Sequence, residues 1–233
     1  MHISNLVSVS RVAASVAASL PAEAAEAAFE HFPGRIVRHA RGRTIFEEGS
    51  PATHVYKVVS GTVRTCKLLA DGRRQIGEFV LAGEVFGLDG LGDHFYTAEA
   101  VTDCTVVCYT RRAVEENLLG SRNAAAVVHR LMLNSLGAAQ RSLLALGRKT
   151  AVERLASFLL ELQDRTGTDA GCVTLPMPRH DIADHLGLTI ETVSRAFGTL
   201  KKARAIELDG AHRVRVRNRL ALERISEGVA GFA

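Results

Sequence analysis

His180-Asp181-Ile182-Ala183-Asp184-His185-Leu186-Gly187-Leu188-Thr189-Ile190-Glu191-Thr192-Val193-Ser194-Arg195 divides into two short apolar-periodic segments around Gly187. In the first, Ile182, Ala183 and Leu186 recur at helical spacing; in the second, which runs on to Lys202, Ile190, Val193, Ala196, Phe197 and Leu200 form the apolar face. Gly187 permits the tight turn between them. Thr189 is placed to cap the second helix by accepting a bond from an early backbone N–H. Glu191, Thr192, Ser194, Arg195, Gly198 and Lys202 are left pointing outward. This is helix-turn-helix anatomy, with the second helix available to a major groove.

The outward side chains match the chemistry of base edges. Arg195 presents two parallel donors to guanine O6 and N7, and Glu191 accepts from the exocyclic amine of cytosine. Four residues apart, they share one helix face, as a plain surface Glu–Arg pair also would. Downstream, Ile206-Glu207-Leu208, Asp209-Gly210 and Arg213-Val214-Arg215-Val216 read as a basic hairpin, and helices followed by such a hairpin suggest a winged helix. Charge points to the same place. The chain of 233 residues has a net charge of +4 and a pI of about 9.1. Residues 177–219 hold nine Lys and Arg against five Asp and Glu, so the whole surplus lies there and the rest of the chain is neutral. A local basic excess is either a solvated face or the footprint of a polyanion-binding surface. With double-stranded DNA as partner, Glu191 and Arg195 are assigned to bases, and Arg179, Thr189, Thr192, Lys202, Arg213 and Arg215 to the phosphate backbone.

Upstream, the pattern changes. Residues 36–110 consist of short apolar or alternating runs, such as Thr44-Ile45-Phe46 and Val55-Tyr56-Lys57-Val58-Val59, broken by Ser60-Gly61, Asp71-Gly72 and Ala82-Gly83. Asp71-Gly72 between two alternating runs predicts a hairpin with a two-residue primed turn. Strands this short and closely spaced imply a small all-β roll or barrel. After Arg111 the period becomes helical. Val128, Met132, Leu136, Ala139, Leu143 and Leu146 draw one stripe along a helix of residues 123–146, about 36 Å long. That helix either packs on its own domain or pairs with a symmetry mate, and we assign it to dimerisation. A further helix is expected over residues 150–164, then a short strand at Cys172-Val173-Thr174-Leu175.

Other classes are excluded by composition. At 47% hydrophobic and 23% charged, the chain is globular rather than disordered. No uninterrupted apolar run approaches the roughly 18 residues of a membrane span, so no membrane partner is expected. Cys66, Cys104, Cys108 and Cys172 contain no Cys-x-x-Cys pair. Cys104 and Cys108 share a strand face but lie ~13 Å apart, too far for a disulfide, so buried free thiols in a reducing cytoplasm are expected. The Ala- and Ser-rich residues 11–28 pass through Pro21 into Glu23 and Glu26 and read as the start of an ordinary helix, not an export signal.

The stretch at 180–195 resembles the DNA-binding helix pair of the Crp/Fnr transcription regulators, in particular the FixK-like branch of the Fnr group, with the Glu-x-x-Ser-Arg signature as Glu191, Ser194 and Arg195. Phe46-Glu47-Glu48-Gly49, Val59-Ser60-Gly61-Thr62-Val63 and Gly83-Glu84-Val85-Phe86-Gly87 look like the glycine-marked corners of the family's β-roll. The resemblance covers all but the first 30 or so residues. It implies an α+β fold: an N-terminal extension at 1–30, a cyclic-nucleotide-binding-like β-roll at 31–120, a dimerisation helix at 121–147, and a winged helix-turn-helix at 148–233. It implies a cytoplasmic homodimer that contacts RNA polymerase and acts, commonly as an activator, on inverted repeats with TTGAT-type half-sites, where Glu191 and Arg195 read the G·C pair and Ser194, grouped with the base-reading residues, contacts a base or phosphate. Cyclic-nucleotide-binding relatives need a Glu for the ribose and an Arg for the cyclic phosphate; Leu88 and Tyr96 stand there instead. Fnr-type oxygen sensors hold an iron–sulfur cluster on amino-terminal cysteines, and no cysteine precedes Cys66. No cofactor and no metal are therefore expected, and the resemblance links the chain to oxygen limitation.

Two positions depart from an ideal recognition helix. Gly198 lies inside it, at a cost of about 1 kcal/mol relative to Ala, which close approach to another backbone would explain. Arg204 stands where relatives usually end the helix with glycine, so it either takes a left-handed conformation or the helix ends differently. Two alternatives stay open: a regulator gated by an unidentified effector or redox signal in the roll, and a cupin-like small-molecule-binding protein. The second has few ligands to draw on, because His54 and His94 are the only histidines between Ile45 and Tyr109 and no His-x-His pair occurs. No enzymatic activity is expected.

Overall fold

A computed structural model describes residues 33–88, 92–120, 149–166 and 171–229. The chain divides into two compact units, Met1–Leu143 and Leu144–Ala233. The extension at 1–30 and the expected dimerisation helix with Val128, Met132, Leu136, Ala139, Leu143 and Leu146 lie outside the described residues.

The first unit is a roll of two antiparallel four-stranded sheets. One has the order β1 (Arg35–His39), β8 (Cys104–Thr110), β3 (His54–Ser60), β6 (Val85–Phe86); the other β2 (Thr44–Phe46), β7 (Thr97–Ala100), β4 (Val63–Leu68), β5 (Arg74–Val80). Strand alternation sends one face of each sheet inward. Phe46, Val58, Val63, Val80, Phe86, Ala98 and Val106 fill the space between them, and the Phe86 ring stacks on Phe46 and Tyr56 at centroid distances of 6.0 and 5.2 Å. Each such large side chain contributes roughly 1.5–3 kcal/mol by leaving water. Helix α1 (Arg111–Gly120) follows β8 directly.

The β4–β5 hairpin is present, with a different turn from the one expected. Leu69 N–H donates to Arg73 O at 2.8 Å and Gly72 N–H to Leu69 O at 2.9 Å, so three residues rather than two close the loop, and Gly72 takes the left-handed position at φ 81°. Asp71 and Gly72 still carry the turn, as in the three-residue hairpin that ends in a glycine bulge. The thiols are free, but only Cys66 and Cys104 are buried; Cys108, further along the inner face of β8, and Cys172 are half-buried. Burial pushes the Cys66 thiol up to about 11, with the Glu99 charge adding to the effect.

The second unit begins with α2 (Ala151–Thr166), whose start is a reciprocal capping box: Thr150 N–H donates to the Glu153 carboxylate at 3.0 Å, and Glu153 N–H to the Thr150 hydroxyl at 3.4 Å. Strand β9 (Cys172–Thr174) precedes α3 (Arg179–Leu186) and α4 (Ile190–Lys202); β10 (Ile206–Leu208), β11 (Arg213–Val216) and α5 (Arg219–Ser226) complete the unit. The sheet order β10-β11-β9 makes the expected hairpin two strands of a three-stranded wing. Leu155, Leu159 and Leu162 of α2 pack in a core with Ile182, Val193, Leu200, Val214 and Leu222, all fully or almost fully buried.

Candidate nucleic-acid interface

Local chemistry sets the geometry of the helix pair. Gly187 ends α3 in the left-handed conformation at φ 63°, and Leu188 N–H reaches back to Ala183 O at 3.0 Å. Thr189 caps α4 as expected, its hydroxyl accepting from Thr192 N–H at 3.3 Å. Val193, Ala196, Phe197 and Leu200 bury the inner face of α4. Arg154 of α2 donates from Nη1 to Leu186 O at 3.0 Å and so ties the carbonyl end of α3 to the scaffold, where a cation is electrostatically favoured.

Glu191, Ser194, Arg195 and Lys202 are exposed along one stripe of α4. Ser194 donates its hydroxyl proton to Ile190 O at 2.8 Å, which leaves the oxygen lone pairs as the outward function. The Glu191 backbone amide, then the Thr189 hydroxyl, then the Arg195 charge hold the Glu191 carboxyl below the usual carboxylate range. It is thus an ionised acceptor. Thr192 is half-buried, its hydroxyl 3.0 Å from that of Thr189, so these two expected phosphate contacts form one hydroxyl pair at the amino-terminal end of α4. Backbone N–H groups and the positive end of the helix dipole gather there, a favourable setting for phosphate.

Three expectations change, and one open alternative, at Arg204, is settled. Ile190, assigned to the apolar face, is 43% exposed. It starts α4 beside Glu191, and an exposed apolar group in the first turn of a recognition helix has the chemistry to meet a thymine methyl. The signal in the sequence was its place ahead of Val193, where the buried face has not yet begun. Arg179, assigned to phosphate, is turned inward instead. Its guanidinium lies 3.3 Å over the Phe197 ring, Nη1 is buried without a hydrogen-bond partner, and burial brings its pKa down to about 10. The stack joins the first turn of α3 to α4, and a cation over an aromatic ring is worth about 0.5–2 kcal/mol. Gly198 makes no close approach to any other part of the chain among the described residues, since a Cβ there meets nothing within 4 Å. Arg204 takes the left-handed conformation, at φ 57°. Arg204 N–H donates to Lys201 O at 3.0 Å and Ala205 N–H to Leu200 O at 3.1 Å, the helix-ending pattern that glycine normally serves.

On the wing, Arg213 and Arg215 alternate outward around buried Val214. Asp209 lies 3.7 Å from Arg213, and the Arg213 Nη2 donates to the Cys172 sulfur at 3.7 Å. Arg215 is exposed with no such carboxylate contact, which makes it the more available phosphate donor. Arg217 pairs with Glu207, while the backbone N–H groups of Arg217 and Asn218 both donate to Ala205 O, at 2.9 and 3.2 Å. Those bonds fix the wing to the carboxyl end of α4.

In the roll, Leu88 and Tyr96 stand where the resemblance implies ribose and cyclic-phosphate ligands. Leu88 is 44% exposed, and Tyr96 is 1% exposed, its ring edge-on to Phe95 at 4.9 Å. An aliphatic group and a sealed phenol do not fit a cyclic nucleotide's sugar and phosphate.

Comparison with known proteins places these features. Residues 153–225 match the family model of a Crp-like helix-turn-helix domain, and residues 36–119 that of a cyclic nucleotide-binding domain. The chain is 45% identical over 190 residues to the nitrogen fixation regulation protein FixK of Azorhizobium caulinodans, covering 80% of this chain and 77% of that one. It is 42% identical over 182 residues to FixK of Rhizobium meliloti, covering 78% and 82%. Among solved structures, FixK2 from Bradyrhizobium japonicum superposes with a TM-score of 0.79 at 40% identity, over 87% of this chain and 100% of that one.

Proposed function

The chain belongs to the Crp/Fnr family of transcription regulators, with FixK proteins among its relatives, and on that premise we propose that it binds DNA as a homodimer at an inverted repeat of TTGAT-type half-sites. It activates transcription under oxygen limitation, through contact with RNA polymerase, in the cytoplasm and without bound cyclic nucleotide or iron–sulfur cluster. The observation that carries this reading is the outward stripe of α4: an ionised acceptor at Glu191, a hydroxyl at Ser194 and an exposed guanidinium at Arg195, on a helix locked to its scaffold on the other side.

In this account Arg195 reads guanine and Glu191 its paired cytosine, with Ser194 on a base or phosphate and Ile190 against a thymine methyl. Thr189, Thr192, Lys202, Arg215 and, less strongly, Arg213 hold the backbone. Pairing through residues 121–147 sets two copies of α4 about one helical turn apart, ~34 Å. Leu88 and Tyr96 support independence from cyclic nucleotide, because neither can hold the ligand's polar groups. A map of genomic occupancy in cells grown with and without oxygen tests the proposal. TTGAT-type repeats occupied mainly without oxygen are expected, and occupancy lacking any shared repeat would overturn it.

One observation favours a ligand-gated variant. A cavity of about 360 Å³ in the roll is lined by Arg35, His39, His54, Tyr56, Cys108 and Thr110 beside the apolar Pro33, Val37 and Ile45, a mixed set in which the Arg35 guanidinium supplies a positive charge for a small anion. Thermal shifts with a panel of small carboxylates and inorganic phosphate check it, and a shift lost in an Arg35→Gln variant would favour gating.

A further inference from the structure

Gly198 has no packing role among the described residues. It lies within α4, it is absent from the left-handed positions, and no neighbour crowds the space its side chain would take. Helical residues turn by about 100° each, so Glu191, Ser194, Arg195 and Lys202 span an arc of about 100°, with Gly198 near its centre. Along the axis it lies ~4.5 Å beyond Arg195 and ~6 Å short of Lys202. It therefore falls between a side chain assigned to base edges and one assigned to phosphate. A helix leaving the floor of a groove passes the sugar–phosphate wall between those two points.

Resting on the reading of α4 as the groove-facing helix, we propose that Gly198 is a clearance position: the DNA backbone packs directly against the helix main chain there. The absent side chain lets α4 seat deeper than any other residue would allow, which brings Arg195 and Glu191 within reach of base edges. Glycine is the residue that admits such close approach of a ligand to the main chain. The cost in helix propensity is then offset only in the complex, which is why no packing among the described residues accounts for it.

The test uses the full-length protein, a labelled duplex bearing the TTGAT-type repeat, a shuffled duplex, and thermal unfolding of each variant. Gly198→Leu introduces a good helix former without charge. It is expected to leave Tm unchanged or higher while raising Kd on the repeat at least about tenfold, the equivalent of one lost base contact, with a much smaller change on the shuffled duplex. Gly198→Ala is expected to raise Tm and to weaken binding to the repeat less, by a few-fold. Repeat affinity at the wild-type level in both variants overturns the proposal, as do equal losses on the two duplexes or a lowered Tm in Gly198→Ala. Arg195→Ala in the same assay separates the two failures. If it keeps wild-type selectivity, α4 does not read DNA and the clearance role falls with that reading. If it loses selectivity while the glycine variants bind normally, only the clearance role falls.

Discussion

Where Crp-type relatives that bind cyclic nucleotides present ribose and phosphate ligands, this roll carries Leu88 at the surface and Tyr96 sealed in its core; where they face a major groove, the winged unit carries Glu191, Ser194 and Arg195, all exposed. The roll has the shape of a ligand-binding domain without those ligand groups, and the helix pair has both shape and chemistry. The difference follows from what each set of residues does for its fold. Two sheets closed over Phe46, Val58, Phe86 and Val106 need no nucleotide to hold them, so the ligand positions are replaceable at little cost. The outer face of α4 does nothing for the core, so polar groups arranged there point to a partner.

The largest effects should come from breaking each unit separately. Phe197→Ala removes a buried ring that also supports Arg179, and should cost about 3–5 kcal/mol in the unfolding of the winged unit. Phe86→Ala should cost a similar amount in the roll. Denaturation followed by hydrogen exchange should place each loss in its own unit; a shared loss would break the contrast between them. Arg204→Gly should stabilise the winged unit by about 1–2 kcal/mol, because a left-handed residue with a Cβ is strained there. Unchanged stability would show that the Arg204 side chain offsets the strain. Arg215→Ala should weaken binding to all duplexes alike and lower the slope of log K against log salt by about 1, and Arg213→Ala should do less, since Asp209 already shares its charge. Cyclic AMP should have the smallest effect, with DNA affinity and Tm both unchanged. A rise in either would return ligand chemistry to the roll.

Much of this was legible because it is local. The turn at Gly187, the Thr189 cap and the outward stripe of α4 follow from spacing and side-chain chemistry within a few residues, as does the wing hairpin around Asp209 and Gly210. What escaped depends on a second element. Arg179 reads as a surface cation until Phe197, 18 residues later, lies beneath it. Ile190 fits a helical apolar pattern, but the core does not extend under the first turn of α4. The Asp71-Gly72 signal fixes a hairpin but not whether two or three residues close it. Gly198 invites a packing explanation, and only the empty space around it turns attention to a partner outside the chain.

The central claim is that α4 reads a G·C pair through Arg195. Selection from a random duplex pool, run in parallel with the wild type and Arg195→Ala, measures it directly. The wild type should enrich inverted TTGAT-type half-sites, and the variant should lose preference at the G·C column, corresponding to about 1–3 kcal/mol, while keeping the flanking bases. An unchanged G·C column in the variant would contradict the account.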